Sequence, residues 1–234
     1  MHVAVLQSAY LPWRGYFDII ASVDLFIVYD DVQYSKGSWR NRNKIKTAQG
    51  SKWLTVPVNV SLGQAISDVT IAYGPKDWTE QHRGLIAQGL SGAPHYPEAV
   101  APWRKAIAAR PTLLTDLNVD LLRGYCDLLG IDTPFADSAE YALEGSATDR
   151  LIRLLKKVGA TSYLSGPAAK AYLDPEAFRD AGIGLYYKTY DYAPYPQLFG
   201  AFQPDASIID LIANLGPEAA AHIRSRTGDE KVVP

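Results

Sequence analysis

Apolar residues run without interruption from Val3 to Leu6, and Pro12 breaks the pattern before Tyr16, Phe17, Ile19, Ile20 and Val23 recur at helical spacing. Residues 2–7 are therefore predicted as a strand and the stretch around 16–23 as a helix. A second apolar run, 25–29, is rich in strand formers and ends on Asp30 and Asp31. Strand, loop, helix and strand in this order predict a parallel βαβ opening. From 32 to 60 the pattern changes. Trp39, Ile45, Trp53, Leu54, Val56 and Val58 fall in strand-like segments around the turn Ala48-Gln49-Gly50, which predicts a hairpin inserted after the second strand. A further short strand is expected within 68–73.

Between 75 and 130 the spacing is helical. Trp78, His82, Leu85 and Ile86 mark one helix, 96–109 a second and 113–129 a third, each bounded by Gly or Pro. Residues 146–158 form an amphipathic helix with Ser146 as its cap and Leu151, Ile152, Leu154 and Leu155 on its apolar face. A strand at 161–164, the turn Ser165-Gly166-Pro167, a helix at 175–181 and a strand at 184–188 follow. Beyond a Pro/Tyr-rich loop at 190–204, Ser207 is expected to cap a helix through Asn214, and 228–234 to fray. The sum is a single α/β domain over residues 1–234. It has a mixed, mainly parallel sheet, an inserted β-hairpin and a helical middle segment at about 75–130.

Composition narrows the function classes. The chain has 234 residues, 47% of them hydrophobic and 21% charged, with a formal net charge of −2. That is a globular balance, and it gives no reason to expect a dedicated nucleic-acid binder. One Cys makes neither an internal disulfide nor a Cys-based zinc site, so no metal centre is predicted and a reducing cytoplasm is expected. The opening segment lacks a cationic leader, and no apolar run is long enough to span a bilayer. Fifteen Tyr and five Trp supply rings with polar handles, the kind of surface that holds sugars or flat ligands.

In open α/β sheets ligands bind outside the carboxyl ends of the strands. Gln7, Tyr10 and Trp13 follow the first strand and are predicted to orient a polar ligand; the alternative is a buried Gln under core aromatics. Asp30 and Asp31 follow the second strand. Successive strand residues point to opposite faces, so one of the two can face the crevice as a base towards an amine or as a metal ligand with a distant partner, or both can serve turns and ion pairs. Lys36, Arg40, Arg42, Lys44 and Lys46 are five cations with no acid among them. With Arg40, Arg42 and Lys44 on one strand face they would form a ladder for a diphosphate, with Trp39 available for base or sugar stacking; the alternative is a solvated hairpin face. Contact with an aminoacyl-tRNA end ranks lower. Ser165 and Gly166 open a strand-to-helix turn suited to an anion, with Lys170 one turn on. His82 and His95 are candidate bases or packing residues, and Cys126 is expected in the core. Hydrolase elbows, dinucleotide fingerprints and Walker loops are not found in the sequence.

The segment from Gln7 through Tyr10, Pro12, Trp13 and Gly15 to Phe17, followed by Asp24, Asp30, Asp31, Gln33 and Tyr34, resembles the start of the WbqC-like protein family. Ser38-Trp39-Arg40-Asn41-Arg42-Asn43-Lys44-Ile45, Trp53 to Pro57, Tyr163 to Gly166 and Ser207 to Leu211 are similar to its later signature stretches, in the same order. The departures are Ser8, where the family more often has Pro, and Ala168-Ala169, where a second Gly is usual. The resemblance implies bacterial polysaccharide or O-antigen biosynthesis, with some members described as glycine or acyl transferases. It carries over no catalytic residues.

The leading expectation is transfer of a small acyl or aminoacyl group to an amino sugar or similar amine, in polysaccharide or secondary-metabolite assembly. The basic ladder would bind a phosphate-bearing small-molecule donor that is acyl-, aminoacyl- or nucleotide-activated. Gln7, Tyr10 and Trp13 would orient the acceptor, and Asp30 or His82 would take its proton. A non-catalytic partner of a pathway enzyme and a nucleotidyl- or glycosyltransferase remain as alternatives.

Overall fold

The structure is a computed structural model that describes residues 1–145 and 147–234. The predicted cap Ser146 lies outside the described residues. Strand β1 (His2–Leu6) leads through helix α1 (Arg14–Ile20) to β2 (Leu25–Val28). Two antiparallel pairs come next, β3 (Arg42–Thr47) with β4 (Gly50–Thr55) and β5 (Val58–Asn59) with β6 (Thr70–Ile71). Helices α2 (Trp78–Leu90), α3 (Tyr96–Ala108) and α4 (Leu114–Leu128) form the middle segment. The chain then returns to the sheet through β7 (Phe135–Asp137), α5 (Ala147–Lys157), β8 (Ser162–Ser165), α6 (Pro175–Asp180) and β9 (Gly184–Tyr187). It ends with α7 (Ile208–Leu215), α8 (Ala219–His222) and β10 (Glu230–Val233).

Six strands make the central sheet in the order β10-β9-β8-β1-β2-β7, parallel throughout except for β10 against β9. Alternation along the strands builds two cores. Val3, Val5, Ile27 and Leu185 pack towards α5 and α6, while Ala4, Phe26, Val28 and Leu164 pack with Phe17 and Ile20 of α1 and with the middle helices. Each fully buried Phe or Ile stabilises the fold by roughly 1.5–3 kcal/mol. Helices therefore cover both faces, as a parallel sheet requires. Gly89 lets α2 lie on the inserted hairpin: a Cβ there would come within 2.4 Å of the Lys46 carbonyl.

Three expectations are corrected. Residues 228–234 do not fray: β10 pairs with β9 and Val233 is 2% exposed, so the terminus is a sheet edge. Its charged start, Glu230-Lys231, hides it among tail-like sequences, although charge suits an edge strand. Phe135-Ala136-Asp137, not predicted at all, adds β7 beside β2; three residues are too few to show alternation. Ser207 precedes α7 without capping it by its side chain, because its hydroxyl donates to the Leu11 carbonyl at 2.9 Å.

Among the described residues, no helix is long and apolar enough to cross a membrane.

Candidate functional site

From β1 the chain goes first to β2 on one side and only later to β8 on the other, so the sheet has a topological switch point between β1 and β8. That is where open α/β sheets leave a crevice. A cavity of about 1080 Å³ lies there, lined by Gln7 after β1, by Tyr29 and Asp31 after β2, and by Gly166 after β8. Trp13, Tyr16, Trp39, Arg40, Arg150, Tyr172 and Tyr190 complete much of its wall.

The loop after β1 is held in an unusual shape. Leu11 has φ +47°, a conformation that L-residues rarely adopt. Hydrogen bonds offset that strain: Asn43 Nδ2 donates to the Tyr10 and Leu11 carbonyls at 3.2 and 2.7 Å, and Ser207 donates to the second of them. Ser8, one of the two departures from the family pattern, uses both of its groups. Its N–H donates to Asp30 at 2.8 Å and its hydroxyl accepts from Asn118 at 3.0 Å. The result presents Gln7 and Trp13 to the cavity and turns Tyr10 away from it.

Arg40 and Gln7 meet directly, Arg40 Nη1 donating to Gln7 Oε1 at 3.0 Å. The Arg40 Nε is buried without a partner, and the guanidinium makes no ion pair among the described residues. Burial pushes its pKa down, opposed by nearby Tyr16, Asp30 and Tyr34. Across the cavity Asp31 accepts two bonds from Arg150, at 2.6 and 3.4 Å, and one from Ser138 at 2.6 Å. Burial works against the Arg150 charge, but its hydrogen bonds to Asp31 and Tyr29 raise its pKa overall. Trp13 meets Tyr190 edge to face at 4.8 Å, and burial pushes the Tyr190 phenol up to about 12, so it stays protonated. Gly166 admits that ring: a Cβ would sit 3.2 Å from the Tyr190 hydroxyl.

The predicted catalytic pair is not brought to the cavity. His82 is 1% exposed and shares a 3.0 Å hydrogen bond with the Tyr10 hydroxyl, which accepts from Trp103 Nε1 at 2.8 Å. The other nitrogen of the neutral His82 ring donates to the Thr55 backbone, so Nδ1 is the acceptor and the Tyr10 phenol donates to it. Burial holds the His82 pKa at about 4, and the ring is a neutral packing group. Tyr10, at 0% exposure, is corrected with it from ligand contact to core. Asp30 is 1% exposed and accepts from the Ser8 N–H and the Thr115 hydroxyl, so it clamps the loop while its neighbour Asp31 faces the crevice.

The cation ladder is divided as well, because Arg40 precedes β3 instead of lying in it. Trp39 and Arg40 line the cavity, whereas Lys36 and Arg42 line a separate groove. Lys44 pairs with Asp205 at 3.2 Å, and Lys46 is buried against Gln197. Ser165 is 2% exposed and accepts from the Tyr163 hydroxyl, leaving Gly166 as the member of that turn that touches the cavity. The turn continues into a five-residue 3-10 helix, too short for a strong dipole, and Lys170 pairs with Glu230. Cys126 is buried and its thiol pushed up to about 12, which keeps it in the core as expected. Among the described residues no cluster of three or more His, Cys, Asp or Glu side chains is placed to hold a metal ion.

The sequence reading left open which of Asp30 and Asp31 faces the crevice and favoured Asp30 as the base, and it missed Tyr16, Tyr29, Arg150, Tyr172 and Tyr190 as lining residues. Arg150 carried no local signal, since it sits among the charges on the polar side of an amphipathic helix.

The WbqC-like protein family matches residues 7–222, which include all of the cavity lining except Val5 and Leu6. The uncharacterized protein Rv1507c of Mycobacterium tuberculosis is 44% identical over 227 residues, covering 95% of this chain and 97% of that protein. No solved structure matches the chain. With the signature stretches and nearly all of the crevice inside the matched region, the chain belongs to the WbqC-like protein family.

Proposed function

We propose that the protein transfers a small acyl or aminoacyl group from an activated, phosphate-bearing donor to an amine, such as that of an amino sugar, within this cavity. One observation carries the reading. Arg40 is a cation in the cavity wall with a buried, unpartnered Nε and no acid paired to it. A partly desolvated guanidinium in that state favours a phosphate or carboxylate, which it grips through two N–H groups. Gln7, already bonded to Arg40, adds an amide to the same subsite. Trp13, Trp39 and Tyr190 offer ring faces and edges to a sugar or base.

In the transfer, the acceptor nitrogen attacks the acyl carbonyl with its lone pair, a C–N bond forms, and the bond from carbonyl carbon to leaving group breaks. The leaving group takes that electron pair and departs as an anion. The proton released by nitrogen passes to a carboxylate, for which Asp31 replaces Asp30 and His82. Holding donor and acceptor side by side supplies much of the acceleration. Turnover of labelled acyl and aminoacyl donors with amino-sugar nucleotides, read by mass spectrometry, tests this. The expected product forms in the wild type, with a raised donor KM in Arg40→Gln and a lowered kcat in Asp31→Asn.

A second reading, a non-catalytic binding partner of a pathway enzyme, is favoured by the state of Asp31, whose oxygens are already engaged by Arg150 and Ser138. Saturable binding without product from any donor would support it.

A further inference from the structure

The segment between 36 and 43 is a wall with two sides. Trp39, Arg40 and Asn43 line the switch-point cavity, while Lys36, Asn41 and Arg42 line a groove of about 900 Å³ bounded by Tyr34, Thr55 and Thr70. No Asp or Glu lines this groove among the described residues. Arg42 lies over the Trp53 ring at 4.4 Å, which orients the guanidinium without neutralising it.

Asn41 adds a second, independent feature. It is 7% exposed, its Nδ2 donates to the Val56 carbonyl at 2.8 Å, and its Oδ1 is buried with no partner. Reversing the amide would set oxygen against the Val56 carbonyl, so the orphan is an acceptor. A buried acceptor left unpaired costs about 1–3 kcal/mol, and a donor arriving through the groove would recover it. Among the described residues neither cation has an acid partner, so the pair selects an anion, whereas the dianion of a phosphate monoester has no proton of its own to give Asn41. The ligand must carry both an anionic group and a hydroxyl or similar donor.

We propose that this groove is a second ligand site that takes a sugar phosphate, its phosphate held between Lys36 and Arg42 and one hydroxyl donating to Asn41 Oδ1. It is distinct from the Arg40 cavity and does not depend on transferase activity.

Amide chemical shifts of the ¹⁵N-labelled full chain, titrated with glucose 1-phosphate, methyl phosphate and inorganic phosphate, test it. Amides at 36–37 and 55–56 are expected to move saturably, with glucose 1-phosphate binding more tightly than the two phosphates that lack sugar hydroxyls. Lys36→Gln/Arg42→Gln should weaken that response about tenfold or more through loss of charge-assisted hydrogen bonds. Asn41→Ser should bring glucose 1-phosphate down to the level of methyl phosphate. If that variant does not fold, the comparison with methyl phosphate in the wild type carries the same test. Static amides in this segment, an unchanged response in the double variant, or equal affinity for glucose 1-phosphate and methyl phosphate would each overturn the proposal. Amides of Ala9, Trp13 and Gly166 report the first cavity separately, so failure of one site is distinguishable from failure of the other.

Discussion

Two partly or fully buried polar regions treat their charges in opposite ways. Behind α1, Asp18 is 1% exposed and pairs with Lys188 at 2.9 Å, while accepting from the Tyr192 hydroxyl at 2.8 Å and the Ser225 N–H at 3.0 Å. Arg14, at 2% exposure, donates to the Ala193 and His222 carbonyls and lies over the Tyr192 ring at 4.7 Å, although its Nε, like that of Arg40, is buried without a partner. In the crevice, Arg40 has the Gln7 amide and a cavity. The Asp18–Lys188 pair ties the carboxyl-terminal segment to α1 with its charges opposed inside the chain. Arg40 is incomplete without a ligand. Burying a charge is tolerable where partners replace water, and a cation that lacks them in a cavity wall points to a partner from outside.

Breaking the Asp18–Lys188 pair should have the largest effect. Asp18→Ala removes the nearer of two carboxylates on buried Lys188, leaving Asp229 at 3.3 Å, and deprives the Tyr192 hydroxyl and the Ser225 N–H of their acceptor; it is expected to lower unfolding free energy by about 3 kcal/mol in urea melts. A loss below 1 kcal/mol would show that the cluster is slack and the contrast with Arg40 false. Next comes pH. His82 is held at about 4 against an ordinary 6.5, so below 6.5 the unfolded chain takes up a proton that the native chain refuses until about 4. Its contribution is intact above 6.5 and is lost as pH falls through that window, by about 2 kcal/mol between pH 7 and pH 5. His82→Gln should flatten that part of the stability curve; parallel curves would mean that the imidazole is not sealed. Arg40→Gln, by contrast, should change stability by no more than about 1 kcal/mol, since it removes an unpaired cation instead of breaking a pair. The smallest effect is expected for Trp39→Ala at the exposed cavity rim, within about 0.5 kcal/mol, leaving any change in ligand affinity readable on its own.

The framework was legible wherever periodicity ran long enough. The βαβ opening, the hairpin around Gly50 and the three middle helices all follow from spacing, while β7 escaped because three residues carry no usable period and β10 because its charged start reads as a tail. The site was half legible. Gln7, Trp13, Trp39 and Arg40 announced themselves as polar or aromatic residues near strand ends and Gly166 as part of a strand-to-helix turn, and each lines the cavity. The Asp30-Asp31 pair shows the boundary of that reasoning. Alternation places them on opposite faces, with Tyr29 and Asp31 on one and Asp30 on the other, yet only the order of strands decides which face the crevice uses. The ladder misled for a related reason: Arg40 and Arg42 share a strand-like parity, but the strand begins at Arg42. Arg150 and Tyr190 arrive from distant parts of the chain and had no sequence neighbour to mark them.

The most direct test is whether the Arg40 guanidinium holds an anion. Pyrophosphate titrated into the ¹⁵N-labelled chain should shift the amides of Ala9, Trp13 and Gly166 saturably, and Arg40→Gln should weaken that binding about tenfold or more. Equal affinity in the two proteins, or amides that never move, would leave Arg40 without a ligand role and the cavity without its proposed chemistry.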